Sequence, residues 1–192
     1  MSQAIIDAMD IAINRLVDGF IANPWLHRVE HSLHCELFML LKESHALSGV
    51  MEGKGFTTQL VHKEWPEPQK SGTRPRRGNF DLAVLKPTAQ NWGLDDFRYG
   101  RAPLVAAIEI GLNYSLRHLQ GDLRKLQESG VPNRYLIHFA TPRCRSQKGV
   151  IEAVLDLIEK EQPNRLKIAY VDHSQNVLRK LGDTEISSIT TE

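Results

Sequence analysis

Two acidic residues stand inside segments that otherwise want only apolar side chains: Asp81 in Asn79-Phe-Asp-Leu-Ala-Val-Leu and Glu109 in Ala106-Ala-Ile-Glu-Ile-Gly. A buried carboxylate without a partner costs on the order of several kcal/mol, so each requires a hydrogen-bond donor, a cation or a metal ion. If the two segments are neighbouring strands, one divalent ion satisfies both. Hard oxygen ligands of this kind suit Mg²⁺ or Mn²⁺ better than zinc. The plainer alternative is that the acids lie at strand ends in water, or pair with arginines.

The elements that must position these acids can be read from periodicity. Ile5, Ile6, Met9, Ile13, Leu16, Val17 and Phe20 recur at helical spacing, opposite Asp7, Asp10, Asn14 and Asp18, and predict an amphipathic helix over 2–20. Asn23-Pro24 reads as a stop followed by a new start, with Pro24 in the first turn of a second helix reaching about Ser44. The apolar line of that helix is Leu26, Val29, Leu33, Leu37, Leu40 and Leu41. Strands are expected over 57–65, 80–85, 103–110, 135–140 and 166–171, and helices over 116–126 and 150–161, with Gly130 capping the first of these two. The order describes one α/β domain over 1–192, a mixed sheet flanked by helices and preceded by a helical hairpin. Nothing in a length of 192 residues demands a second core.

The series of a helix carrying Glu, a strand, a strand carrying Asp, a strand carrying Glu, and a Leu-rich helix carrying Asp122 and Lys125 resembles the PD-(D/E)XK, restriction-endonuclease-like nuclease superfamily. The resemblance spans roughly 25–140, and its motifs are short. It implies that Asp81 and Glu109 are metal ligands, that the carbonyl of Ile110 is a third, and that a Mg²⁺ or Mn²⁺ ion supports hydrolysis of DNA phosphodiester bonds. The family often adds a helical Glu near the N-terminus. Glu30 lies closest to the apolar line of the second helix, with Glu36 on its other shoulder.

The sequence departs from that pattern at one position. A lysine is expected two residues after the Glu, and Gly111 stands there. Such a lysine orients the attacking water and stabilises charge on the phosphate, a contribution worth about two to three powers of ten in rate. Lys125 on the following helix is the first candidate to supply the missing cation, because a long side chain can reach back over the strand end; Lys63 is the second. The plain reading of Lys125 is a solvated helix face. Glu64 in His62-Lys-Glu-Trp reads either as a further metal neighbour or as an exposed strand-end acid. The loop carrying Arg74, Arg76 and Arg77 leads into the Asp81 strand and suits contact with the phosphate backbone, or is an ordinary solvated loop. His27, His31 and His34 have helical spacing, but no acid or cysteine completes a zinc motif, so they read as a chance cluster.

Composition bounds the rest. A net charge of +1 argues against a polybasic binder and makes any nucleic-acid site local. Cys35 and Cys144 are far apart and show no paired spacing, which suits a reducing cytoplasm. Asp7 and Asp10 interrupt the first apolar stretch, so no signal peptide or membrane span is expected. The first helix is a candidate dimer element, since its apolar face exceeds what the remaining core clearly requires. Two functions of different class follow: a Mg²⁺-dependent nuclease acting on DNA in restriction, repair or defence, and a catalytically degraded relative that binds nucleic acid or protein on a retained scaffold. Retention of both acids favours the first, and Gly111 favours the second.

Overall fold

A computed structural model describes residues 2–67, 78–87, 92–142, 149–150, 152–154, 156 and 166–190. The chain begins with α1 (Ser2–Ala22) and α2 (Glu30–Glu43), followed by a small hairpin of β1 (Val50–Gly53) and β2 (Phe56–Gln59). Then come β3 (Val61–Pro66), β4 (Asn79–Leu85), the short α3 (Leu94–Arg98), β5 (Leu104–Leu112), α4 (Leu116–Glu128), β6 (Asn133–Ala140), β7 (Leu166–Asp172) and β8 (Val177–Arg179). Six strands form one mixed sheet in the order β3-β4-β5-β6-β7-β8. The strands β3, β4 and β5 run antiparallel to one another, β5, β6 and β7 run parallel, and β8 returns antiparallel. Helix α4 makes the crossover between the parallel pair β5 and β6, as parallel pairing demands a long connection.

Each element forms where its sequence pattern says, with informative exceptions. The stripe Ile5, Ile6, Met9, Ile13, Leu16, Val17 and Phe20 of α1 is fully buried against α2 and the sheet. That burial within a single chain uses up the apolar face that had suggested a dimer element. Helix α2 starts at Glu30 and not near Pro24, because residues 24–29 form turns; Leu26 and Val29, expected in its apolar line, are exposed. Leu33, Leu37 and Leu41 carry the packing. The single strand expected over 57–65 divides at Leu60 into β2, which pairs with β1, and β3, which joins the main sheet. Strand β5 runs two residues past its expected end, through Gly111 to Leu112, because β6 pairs with it that far. Of the helix expected over 150–161, residues 150, 152–154 and 156 have helical backbone, with Val150 and Val154 buried. None of β1, α3 and β8 was expected. No helix among the described residues is long and apolar enough to cross a membrane.

Candidate functional site

The sheet splits between β4 and β5. Their recorded pairs end at Leu82↔Ile108, yet β5 stays paired with β6 as far as Leu112↔Phe139, and β4 stays paired with β3 as far as Asn79. Backbone groups of β5 that face the split therefore have no strand to bond. Buried backbone donors must be satisfied in some other way, and here side chains do it. The N–H of Ile110 donates to Asp81 Oδ2 at 2.7 Å. The N–H of Leu112 and the hydroxyl of Tyr114 bond Glu30, and the carbonyl of Ile110 faces the His34 ring. Glu30 and His34 are one turn apart on α2, so a single helix face delivers both to the fork.

Continuing the same register one step beyond Leu82↔Ile108 sets Asp81 opposite Glu109, with both side chains on one face of the sheet. Glu109 is the deeper of the two, at 1% exposure. Lys125 reaches it from α4: its ammonium lies 2.9 Å from Glu109 Oε2, 3.5 Å from Asp122 Oδ1, and donates to the Asn79 carbonyl at 3.1 Å. The other oxygen, Glu109 Oε1, is buried with no hydrogen-bond partner among the described residues. On the Asp81 side, His34 Nε2 stands 3.5 Å from Asp81 Oδ2 and 3.6 Å from Glu30 Oε1.

Four carboxylates thus share the fork with one ammonium, and their acidities reflect it. Burial pushes the Asp81 carboxyl up to about 7, against the partial relief of the Ile110 N–H and Lys125. Burial, then the charge of Asp81, holds Glu109 well above the ordinary carboxylate range despite Lys125. Burial raises Glu30 and Asp122 as well. For Lys125, burial works to lower the pKa, but Glu109, Asp122 and Asp81 together outweigh it and the net direction is upward. His34 is pushed down to about 4 by burial, so its ring is neutral near pH 7 and brings no positive charge. Carboxylates crowded together, with pKa values raised by burial and by one another, make the fork the candidate functional site.

The donor set fits a divalent cation. Ligand atoms of Glu30, His34 and Asp81 all lie within 4.8 Å of one another. Glu109 Oε1, on the neighbouring strand, lacks a partner among the described residues, and among those residues the ammonium that bonds the fork acids is that of Lys125. Oxygen donors of this kind, with a neutral imidazole beside them, suit Mg²⁺ or Mn²⁺.

The structure thus brings Glu30, Asp81, Glu109, Ile110 and Lys125 together at one place. Glu36 points elsewhere and pairs with His27 at 3.0 Å. Lys63 is turned away from Glu109 and bonds His31 and Cys35. Glu64 stands across the His34 ring, 4.0 Å from Nδ1. Arg74, Arg76, Arg77 and Cys144 lie outside the described residues. Sequence reasoning missed His34, which it had set aside with a chance group of histidines, and Tyr114. The signal for His34 was its place one turn after Glu30, between Leu33 and Leu37 of the buried stripe. At Gly111 the reason for glycine is visible. By strand alternation it shares a face with Glu109, and a Cβ there would meet the Tyr114 ring at 2.6 Å and His138 Nδ1 at 2.9 Å. The place of a motif lysine is filled by those two rings.

Comparison with family models, with characterised proteins and with solved structures finds no match to this chain.

Proposed function

We propose that the fork between β4 and β5 is a divalent-metal phosphodiesterase site, that the chain is a nuclease acting on DNA, and that its fold is of the restriction-endonuclease-like kind. One observation carries the reading: four acids gather where the sheet opens, two of them, Glu109 and Asp122, on the ammonium of Lys125, and one oxygen of Glu109 is buried with no partner among the described residues. Glu30, Asp81 and Glu109, with the carbonyl of Ile110, would hold the ion. Bound there, it would polarise a phosphate and lower the pKa of an attacking water. Lys125 supplies the fixed positive charge that the strand position lacks. Its ammonium is anchored by Glu109 and the Asn79 carbonyl, so it is preorganised toward charge developing on a phosphate oxygen. Neutral His34 orients Asp81 and Glu30 without cancelling their charge. The arginines at 74, 76 and 77, which precede β4 in the chain, are suited to backbone phosphates. The antiparallel β3-β4-β5 followed by the parallel β5-α4-β6 crossover supports the fold assignment.

A second reading has its own observation in favour. Tyr114 and His138 occupy the place of the motif lysine, as they would in a relative that has lost catalysis and keeps the scaffold for binding nucleic acid or protein. Incubation of the purified chain with plasmid and with single-stranded DNA in Mg²⁺ or Mn²⁺ separates the two. Cleavage is expected from the wild type, abolished by chelation and by Asp81→Ala. DNA left intact with both metals would instead leave the binding scaffold.

A further inference from the structure

His34 has a second side. The residue is 3% exposed and neither ring nitrogen has a hydrogen-bond partner among the described residues. Carboxylates flank it at both edges: Asp81 and Glu30 at Nε2, and Glu64 at Nδ1. A neutral imidazole carries one N–H and one lone pair. With the N–H on Nε2, directed at the fork acids, the Nδ1 lone pair faces the Glu64 carboxylate, and a cation between them would satisfy both. Ligating histidines commonly have this form, with the second ring nitrogen donating to a carboxylate.

His31, one turn earlier on α2, completes the group. Ligand atoms of His31, His34 and Glu64 all lie within 4.8 Å of one another. Its Nε2 lies 3.1 Å from the ammonium of Lys63, which simultaneously meets Cys35 Sγ at 3.0 Å. A cationic group of the chain's own therefore sits among the lone pairs of an imidazole and a thiol. Glu64 is delivered by an irregularity in β3: the pairs Lys63↔Leu82 and Trp65↔Phe80 flank a skipped position, and Glu64 has φ 53°. His31 and Glu64 are exposed, so both can close by rotamer changes toward the ~3.3 Å ligand spacing that metal–ligand bonds of about 2.0–2.1 Å require.

We propose that His31, His34 and Glu64 form a second metal site, for a transition-metal ion of the zinc class. It stands on the opposite edge of the His34 ring from the hard-cation fork and has an outward position open to solvent or to Cys35. Two imidazoles and a carboxylate match zinc or cobalt, not magnesium. The site does not depend on the nuclease reading, since its ligands and its test involve no DNA.

The test uses the full chain stripped of metal, held in excess Mg²⁺ and titrated with Co²⁺ alone, then Zn²⁺ alone. Visible absorption reports Co²⁺ and calorimetry reports Zn²⁺. One equivalent of each is expected, with the cobalt intensity of a low-coordinate site. His31→Ala and Glu64→Gln alter exposed side chains and leave the thermal melt unchanged, and each should weaken Zn²⁺ binding by about 10-fold or more. Lys63→Met should tighten it by removing the competing ammonium. Asp81→Ala, which disables the fork, should still take up one Zn²⁺. Zinc affinity unaltered by His31→Ala and Glu64→Gln, or lost in Asp81→Ala alone, would overturn the proposal by placing the ion in the fork.

Discussion

Two polar clusters lie on this sheet and solve the same problem in opposite ways. At one, Asp10 of α1 receives the hydroxyl of Tyr135 on one oxygen and the ammonium of Lys167 on the other. Lys167 also stacks over the Tyr135 ring at 5.5 Å. One acid has two donors and the charge is closed. At the fork, Glu109 and Asp122 divide one lysine, Glu30 and Asp81 stand beside them, and a buried oxygen of Glu109 has no partner among the described residues. The chain is plainly able to neutralise a carboxylate where it packs helix on sheet. The excess of acid at the fork is therefore a feature that folding tolerates, and such uncompensated charge persists where a ligand offsets it.

The comparison breaks most visibly through Lys125. If its ammonium acts on substrate, Lys125→Met should lower the single-turnover cleavage rate by roughly 10²- to 10³-fold. Mn²⁺ affinity measured by calorimetry should hold or increase, because a competing cation has left the carboxylates. A variant that cleaves at the wild-type rate would reduce Lys125 to the role that Lys167 plays for Asp10, a structural counter-ion.

The next effect is on stability against pH, and its sign follows from the raised carboxylates. Asp81 titrates at about 7 in the folded chain against 3.8 ordinarily, and Glu109 also lies well above its usual range. The folded state thus holds protons that the unfolded chain has released. Stability of the metal-free protein should rise as pH falls through 7, by up to about 1.4 kcal/mol per pH unit for each such group. His34, depressed to about 4 from 6.5, and His62, also held low by burial, oppose this where an unfolded histidine takes up its proton, from about pH 7.5 downward. Between about pH 8.5 and 6.5 the two acids outweigh the histidines, and a net gain of about 1 kcal/mol should raise the melting temperature by about 2–4 °C in chelator. Glu109→Gln should flatten that trend. Excess Mg²⁺ should reverse it, since ionised carboxylates bind the cation best. A melting temperature indifferent to pH in this window would mean that the fork is as well balanced as the Asp10 cluster.

How much of this was legible in sequence divides along the same line. Asp81 and Glu109 were conspicuous because each breaks an apolar run, and the strands around them follow from those runs. Lys125 could be named because the gap at Gly111 created a demand for a cation and the next helix offered one. The sequence could not reveal the split between β4 and β5. It arises from pairing that ends at Leu82↔Ile108 on one side of β5 and continues to Leu112↔Phe139 on the other, which is a property of partners far apart in the chain. His34 and Tyr114 were hidden for that reason: what makes them part of the site is the set of acids and unpaired strand groups they meet there. The rim group of His31, His34 and Glu64 was hidden by the skipped position in β3, which no local pattern announces. The start of α2 was misread because Pro24 suits a first turn as well as it suits the turns at 24–29, and burial decides between them.

The smallest effect sharpens the contrast from the balanced side. Asp10→Asn keeps the shape of the side chain and removes the charge, so Lys167 loses its counter-ion while Tyr135 keeps an acceptor. Both members of the pair are about a third exposed, Asp10 at 31% and Lys167 at 35%, where screening holds such an interaction to about 0.2–1 kcal/mol. The melting temperature should fall by about 1–4 °C at low salt and by less at high salt. Cleavage, Mn²⁺ affinity and the stability trend between about pH 8.5 and 6.5 should be unchanged, because Asp10 is bonded to β6 and β7 and touches none of the fork residues. A change in metal affinity on removing Asp10 would show that the two clusters exchange charge through the sheet, and that the imbalance at the fork is not local to it.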